Sequence, residues 1–435
     1  MNKKFSSRLG LILSAVGSAV GMANIWGFPY KFQQGGLVFL LFYIIFAGIF
    51  SYVGLSSEFA VGRMAKTGTL GAYEYSFRSA NKNKTLGRYI GYVPLIGTFL
   101  IAIGYSVIVA YVLKGFVDSL TGEIFRTSSE IWFDSFANKE HSVLIYHITI
   151  IIVTILTCIG GARSIEKTNK IMMPTFFILF LILAIKVASL PNSIEGYKNM
   201  FTYRPEQVNI QTIVNAMGQA FFSLSITGSG MIVVGAYIDK KEDLVHSSVQ
   251  TGFLDTLAGL IASFVIIPAI SVFGMTGVGG PSLLFVTLPT ILLNIRFGRI
   301  FAIILYLAVV FAGISSLQNM FEVIAESMTH RFVKLTRKIV FLGLGLLVFV
   351  LGINLETISS FGPYMDIVSI YIIPIGASIG AITWFYILQK DKLLAEINLS
   401  AKRNYGKNWY KIGRYIYVPI AVIITILALV FKISF

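Results

Sequence analysis

The sequence predicts an all-α integral membrane protein of eleven transmembrane helices, a 5+5 inverted repeat with helices 1 and 6 unwound at the midplane. Three observations predict it. Hydrophobic residues fill 56% of 435 positions and charged residues only 13%. That is about half the charged share of a soluble domain, so the chain lacks the polar surface to cover itself. The apolar residues arrive in runs, among them 172–190, 257–273, 300–321 and 415–433, and a helix crosses a bilayer in ~20 residues. The period-two alternation of a membrane barrel is missing. The third observation is that basic residues gather on alternate connecting segments.

In chain order, helices are expected near 9–31, 37–62, 89–120, 142–160, 168–189, 210–238, 247–274, 298–329, 336–353, 362–388 and 413–432. With the N-terminus in the cytoplasm, Lys3, Lys4 and Arg8 share a side with the basic residues of 63–88, 163–170, 240–241, 331–338 and 390–414. Together they hold 25 of the 35 Lys and Arg. This asymmetry is the positive-inside pattern. The formal charge of +15 therefore records topology; the partner is the lipid bilayer and not nucleic acid. An odd number of crossings puts the C-terminus outside.

The opening MNKKFSSRLGLIL has no credible cleavage site and is read as part of the first helix. Cys158 is the only cysteine, so no intrachain disulfide forms. No low-complexity linker divides the chain. One transporter domain over 1–435 is expected, with repeat one at about 9–190, repeat two at about 210–388 and an extra helix at about 413–432. Segments 56–88 and 389–414 read as structured cytoplasmic loops, and the half-polar stretch from Gly277 to Phe297 as a hairpin dipping back toward the protein.

Two crossings are unusual. The first contains GSAVGMANIWGFP (17–29) and the sixth FFSLSITGSGM (221–231). Polar, helix-weak residues at membrane depth are tolerated only where the freed backbone groups find partners in protein or a cavity. The two spans are five apart, as inverted halves require, and Gly-interrupted segments at matching places point to a binding site between the halves. Small residues that merely let helices pack closely are the alternative, and two such spans in register argue against it.

A hard cation such as Na⁺ needs oxygen ligands, and broken helices expose carbonyls that supply them. Candidate side-chain oxygens inside the membrane are few, and include Asn24, Ser223, Asp255, Ser315 and Ser316. A carboxylate at that depth is a functional candidate unless it stays wet near the cytoplasmic end, and Asp255 admits both readings. Membrane serines mostly bond to their own helix, so Ser315 and Ser316 alone signal little. Glu58 either bonds the open backbone of a broken helix or pairs with Arg63 at the inner interface. The histidines are scattered, no phosphate-binding loop is present, and no nucleophile–base pair can be assembled. The chain is not expected to be an enzyme or to carry an organic cofactor.

The run RLGLILSAVGSAVGMANIWGFPYKFQQGG resembles the first-helix signature of the neurotransmitter:sodium symporter family, bacterial amino-acid branch. GQAFFSLSITGSG, LDTLAGLIASFVIIP and FAGISSLQN resemble its sixth, seventh and eighth helices. The likeness covers almost the whole chain. The family commonly has twelve spans; the missing one lies outside the inverted repeat. The resemblance implies a multi-pass protein of the bacterial inner (cytoplasmic) membrane that imports an amino acid with Na⁺. An amino-acid receptor or sensor without transport is the alternative.

The resemblance further implies two sodium sites. The first comprises the carbonyl of Ala19 with Asn24, Ser223 and Asp255. The second comprises the carbonyls of Gly17, Val20 and Ala312 with the hydroxyls of Ser315 and Ser316. Asp255 stands where relatives often have a neutral asparagine, which implies chloride-independent transport. Gly21 stands where monoamine-selective relatives carry aspartate, so the ligand brings its own carboxylate, met by Tyr105 and the half-helix N-terminus at Gly21. Carbonyls near Phe222 and Ser225 take its ammonium group. Its side chain faces Ile101, Ser225, Gly228, Ser316 and Met320, and the small Gly228 suggests a large hydrophobic or aromatic substrate.

Phe222 matches the aromatic lid. Gly27 replaces the family's outer-gate arginine, leaving Lys31, one turn outward, as the partner expected for Asp366. The usual inner-gate pair aligns near Asn2 and His330, so Lys3, Lys4 or Arg8 with Glu326 is the substitute considered.

Overall fold

The computed structural model describes residues 4–275 and 279–432. Helix makes up 82% of it, with no strand among the described residues. Among the described residues seven helices are long and apolar enough to cross a membrane, including Lys84–Thr121, Ala162–Ala188, Leu244–Val272 and Gly298–Arg331. Local chemistry sets their ends. Asn83 accepts from the amides of Thr85 and Leu86, and the helix it starts stops at Gly122, whose φ of 87° closes the last turn. Asp243 caps Leu244–Val272 through the His246 amide.

The apolar faces point outward as well as inward. On Leu144–Cys158, His147, Ile150, Ile151, Thr154, Ile155 and Cys158 are buried, while Ile145, Ile148, Ile152 and Leu156 on the opposite face are exposed. Arg337–Ile353 repeats this, with Ile339, Leu342, Leu346 and Val350 outward. Exposed apolar stripes of this extent are intelligible only against lipid. The interior is built on Gly298–Arg331, which packs along Lys84–Thr121 and Ala162–Ala188. Gly313 makes the close approach possible, since a Cβ there would lie 2.7 Å from Val109.

Two expected helices divide. The first ends at Ala19, with Val20 extended (φ −68°, ψ 119°), and resumes as a wide-wound turn Ala23–Gly27 running into Phe28–Ile49. A sharp turn at Gly36 (φ 52°) then separates the first from the second crossing. The sixth becomes Ile210–Ser223 and Gly230–Ala236.

One boundary moves. The helix expected from 168 starts at Ala162, because the charged residues read as loop are satisfied within it: Lys170 Nζ donates to Glu166 at 2.6 Å. Of the hairpin expected from Gly277, that residue lies outside the described part. The remainder folds as Leu283–Thr287 and Leu288–Leu293, with Leu283, Leu284 and Phe285 fully buried.

Candidate functional site

A helix end leaves its last four carbonyls without helical partners, and the end at Ala19 brings them into the protein centre. The Val16 carbonyl accepts from the Val20 amide at 2.7 Å. Ser18 O accepts from Ser225 Oγ at 3.1 Å, which ties the first break to the second. Gly17 O and Val20 O both face Ser316 Oγ, at 3.4 and 2.9 Å. Ser315 Oγ bonds back to Ala312 O at 2.9 Å. Ser316 thus holds the carbonyls of the break, while its neighbour Ser315 bonds to its own helix at Ala312; together they offer carbonyl and hydroxyl oxygens. Such a group suits a hard cation.

A second group lies around Asp255, which is fully buried. Its carboxylate accepts from Asn24 Nδ2 at 2.8 Å, Ser223 Oγ at 2.7 Å and Tyr43 hydroxyl at 3.3 Å. All three donors are neutral, so the charge has no cationic side chain beside it among the described residues. Depth, not proximity to water, describes this aspartate. In its ionised form a carboxylate so placed is favourable only with a cation at hand. Asn24 also turns its amide oxygen to the Gly21 N–H at 3.0 Å, and Ala19 lies at the edge of the central cavity.

That cavity has a volume of about 510 Å³, within the range of small-molecule sites. Ala19, Gly21, Ile101, Tyr105, Phe222, Ser225, Ser316 and Met320 line it, and so do Lys31 and Asp366 at its mouth. At its base the Tyr105 hydroxyl accepts from the Met22 N–H at 3.3 Å. Gly21 is glycine for a steric reason: a Cβ there would stand 2.5 Å from the Tyr105 oxygen and 3.0 Å from Ser316 Oγ.

Ser223 does not line the cavity; it turns to Asp255. Gly228 does not line it either. Its backbone has φ 74°, and a Cβ would meet the Gly376 carbonyl at 2.5 Å and the Tyr73 hydroxyl at 2.9 Å. The inference that a small residue at 228 widens the substrate pocket is therefore corrected, since that position faces a neighbouring helix.

Glu58 belongs to the break. Its carboxylate accepts from the Gly228 N–H at 2.8 Å and the Met231 N–H at 3.2 Å, donors that a helix starting at Gly230 leaves open. Arg63 instead pairs with Glu396 at 2.5 Å and with the carbonyl of Glu242 at 2.8 Å.

At the mouth, Lys31 Nζ donates to Gln219 Oε1 at 3.0 Å, while Gln219 Nε2 donates to Ala23 O at 2.9 Å. A Cβ on Gly27 would lie 3.1 Å from the same Gln219 oxygen, so positions 27 and 31 converge on one residue. Gln219 had no signal in the sequence beyond being an amide in an apolar helix.

The opposite end differs from expectation. Lys3 lies outside the described residues. Lys4 pairs with Asp239 at 2.8 Å, a hydrogen bond that holds the Asp239 carboxyl below the usual range. Arg8 faces Glu242 and Gln250. Glu326 is reached by Tyr237 at 3.4 Å and by Arg337 at 3.8 Å. Arg337 Nη2 also donates to Glu322 at 2.6 Å, and Tyr237 bonds Glu322 as well. The segment before the first helix is pinned separately, by Ser6 and Ser7 on Glu166 and by Phe5 N–H on Tyr237 O at 3.2 Å. Of the substitutes considered, Lys4 and Arg8 turn to Asp239 and Glu242, and Arg337, from the following helix, is a cation beside Glu326 that was not foreseen.

Comparison with known proteins agrees with this geometry. The model of the sodium:neurotransmitter symporter family matches residues 2–143 and 137–434. An uncharacterised sodium-dependent transporter of Bacillus subtilis (strain 168) is 29% identical over 99% of this chain and 98% of its own length. The sodium-dependent neutral amino acid transporter B(0)AT3 of Rattus norvegicus is 27% identical, over 60% of this chain and 47% of its own. The crystal structure of MhsT in complex with L-phenylalanine superposes with a TM-score of 0.86 at 29% identity, covering 98% of this chain and 100% of that one.

Proposed function

The chain belongs to the sodium:neurotransmitter symporter family, and from that premise we propose that it imports an α-amino acid, together with two sodium ions, by alternating access. The family consists of sodium-dependent secondary transporters and not enzymes. The observation that carries the reading is the meeting of two helix breaks at one cavity. Two groups of oxygens flank that cavity, one around Asp255 and one around Ser316.

The first ion takes Ala19 O, Asn24, Ser223 and Asp255, and the second takes Gly17, Val20, Ala312, Ser315 and Ser316. The substrate carboxylate lies at Gly21 and Tyr105 and completes the first site, which couples the two fluxes. Its side chain enters the apolar part of the cavity lined by Ile101, Ile108, Phe222, Met320 and Phe361. With Gly228 set aside, this lining and the L-phenylalanine in the complex of MhsT favour a large hydrophobic or aromatic amino acid.

Eleven crossings in two inverted repeats fit the helix order, with the N-terminus in the cytoplasm of a bacterial cell and the crossing Lys407–Phe431 leading outward. On this topology the mouth at Lys31 and Asp366 faces outside, and the end closed by Tyr237, Glu322 and Arg337 faces in. A cavity continuous with the mouth corresponds to an outward-facing state. Phe222 then covers the bound substrate, Lys31 and Asp366 close the mouth, and the inner contacts part. Each charge moving inward across 100 mV contributes ~2.3 kcal/mol, so two ions drive about a thousandfold accumulation or more.

The test is uptake of labelled amino acids into proteoliposomes, with an inward sodium gradient against potassium. Accumulation above equilibrium supports symport; sodium-dependent binding without accumulation makes the protein a receptor. Asp255 supplies the negative charge that an anion provides elsewhere, so replacing chloride by gluconate leaves uptake unchanged. A fall to background would sink that claim.

A further inference from the structure

One buried group is used by neither the cavity nor the inner-end network. Asn169, on Ala162–Ala188, is fully buried, yet neither its amide oxygen nor its amide nitrogen has a partner. The buried Ser14 Oγ is also unpartnered. Both open on one small chamber of about 10 Å³, shared with Ser315, Asn319, Tyr237 and Glu322. That is room for about one water-sized particle. Buried amides are otherwise almost always bonded, and Ile165 and Val233 on the same wall would accept an apolar side chain in place of Asn169.

Position supplies a second, independent observation. A Cβ built on Gly17 would lie 2.8 Å from Asn169 Oδ1 and 3.1 Å from Ser315 Cβ. The chamber therefore abuts the second oxygen group on its inner side. Its other wall is Glu322, whose carboxylate is held by Arg337 at 2.6 Å and by Tyr237. Phe5, bonded to Tyr237, closes it.

We propose that this chamber is a transit site for the sodium ion leaving the second group toward the cytoplasm, with Asn169 Oδ1 and Ser14 Oγ as its oxygen ligands. The inference rests on the two-ion reading above. Neutral ligands suit a station that must release its ion. The nearest carboxylate, Glu322, is neutralised by Arg337 while the inner end is closed, so the site does not trap the ion. Parting of Phe5 from Tyr237 opens the chamber to the cytoplasmic side.

The experiment compares Asn169→Leu and Asn169→Asp in the full chain, with two readouts. One is the sodium dependence of substrate binding at equilibrium in detergent; the other is inhibition of net uptake by sodium loaded inside proteoliposomes. Loss of one oxygen contact in Asn169→Leu is expected to slow net uptake about fivefold, while the sodium concentration for half-maximal binding moves less than about threefold. Asn169→Asp, which adds a charge at the station, is expected to lower the internal sodium needed for half-inhibition by about tenfold.

Wild-type behaviour of both variants means the chamber holds a structural water and overturns the proposal. Shifts of the same sign in internal-sodium inhibition mean a packing effect and overturn it equally. Ser315→Ala examines the premise separately. If it leaves the sodium dependence of binding unchanged, the second ion lies elsewhere and the transit site falls with it. If it weakens sodium while the Asn169 variants do nothing, only the transit site falls.

Discussion

The two broken helices meet at one cavity, but their open backbone groups are satisfied in different ways. At the first break the carbonyls of Gly17, Ser18 and Val20 are met by the hydroxyls of Ser316 and Ser225, and the amides of Gly21 and Met22 by the neutral oxygens of Asn24 and Tyr105. Such carbonyls can exchange a hydroxyl for an ion at little cost. At the second break the exposed groups are N–H donors at Gly228 and Met231, and they are held by the carboxylate of Glu58. Tyr73 and Asn319 add bonds to the carbonyls of Gly228 and Gly230, at 3.2 and 3.1 Å. The first break is left open to ligands; the second is anchored by the protein itself. A buried, multiply bonded anchor does not come and go during a transport cycle.

The largest effect is expected where the anchor is removed. Glu58→Ala strands two buried amides, each costing ~1–3 kcal/mol when left unpaired, so folded protein and uptake are both expected to be lost. Wild-type melting in detergent would refute the anchor and erase the contrast between the breaks.

Next is Gly21→Ala. The methyl overlaps the Tyr105 hydroxyl, and overpacking of ~1–3 kcal/mol weakens substrate binding about tenfold to a hundredfold. Adding Tyr105→Phe removes the overlapping oxygen and is expected to restore part of the fit. A double variant no better than Gly21→Ala would mean the overlap is not the cause. Ser316→Ala follows, with sodium half-saturation of binding raised about tenfold through one lost ligand. Unchanged sodium dependence would show that the hydroxyls at the first break are structural.

The smallest effect belongs to the mouth, where Gln219 joins the two broken helices through Lys31 and Ala23. Lys31→Ala is expected to weaken substrate affinity by about threefold, as for a partly solvated contact. No loss in either affinity or uptake would remove Lys31 from the gate.

Much of this was legible beforehand. The interruptions at 20–22 and 224–229 could be placed because glycine and serine clusters stand out in apolar runs. Asp255 could be singled out because a carboxylate in such a run has few explanations. Ser315 and Ser316 needed the family resemblance. Gln219 and Asn169 could not be found at all: an amide in a membrane helix looks the same whether it bridges two helices or faces a chamber. Gly228 was read in the wrong direction, because a positive φ turns its missing side chain toward Gly376. Arg337 was not foreseen at the inner end, because only folding brings the start of the following helix to Glu322 and Glu326.

Composition and residue placement alone determined that this is a helical membrane protein, that its basic residues gather on alternate loops, and where its two crossings fail as helices. Those properties are sums or local patterns along the chain. Tertiary structure alone decided which atoms meet across it: Glu58 with residues 228 and 231, Ser316 with 17 and 20, Asn169 with the wall behind Ser315. Hydrogen bonds and ion ligands act over about 3 Å, and only folding brings positions so far apart in sequence to that distance.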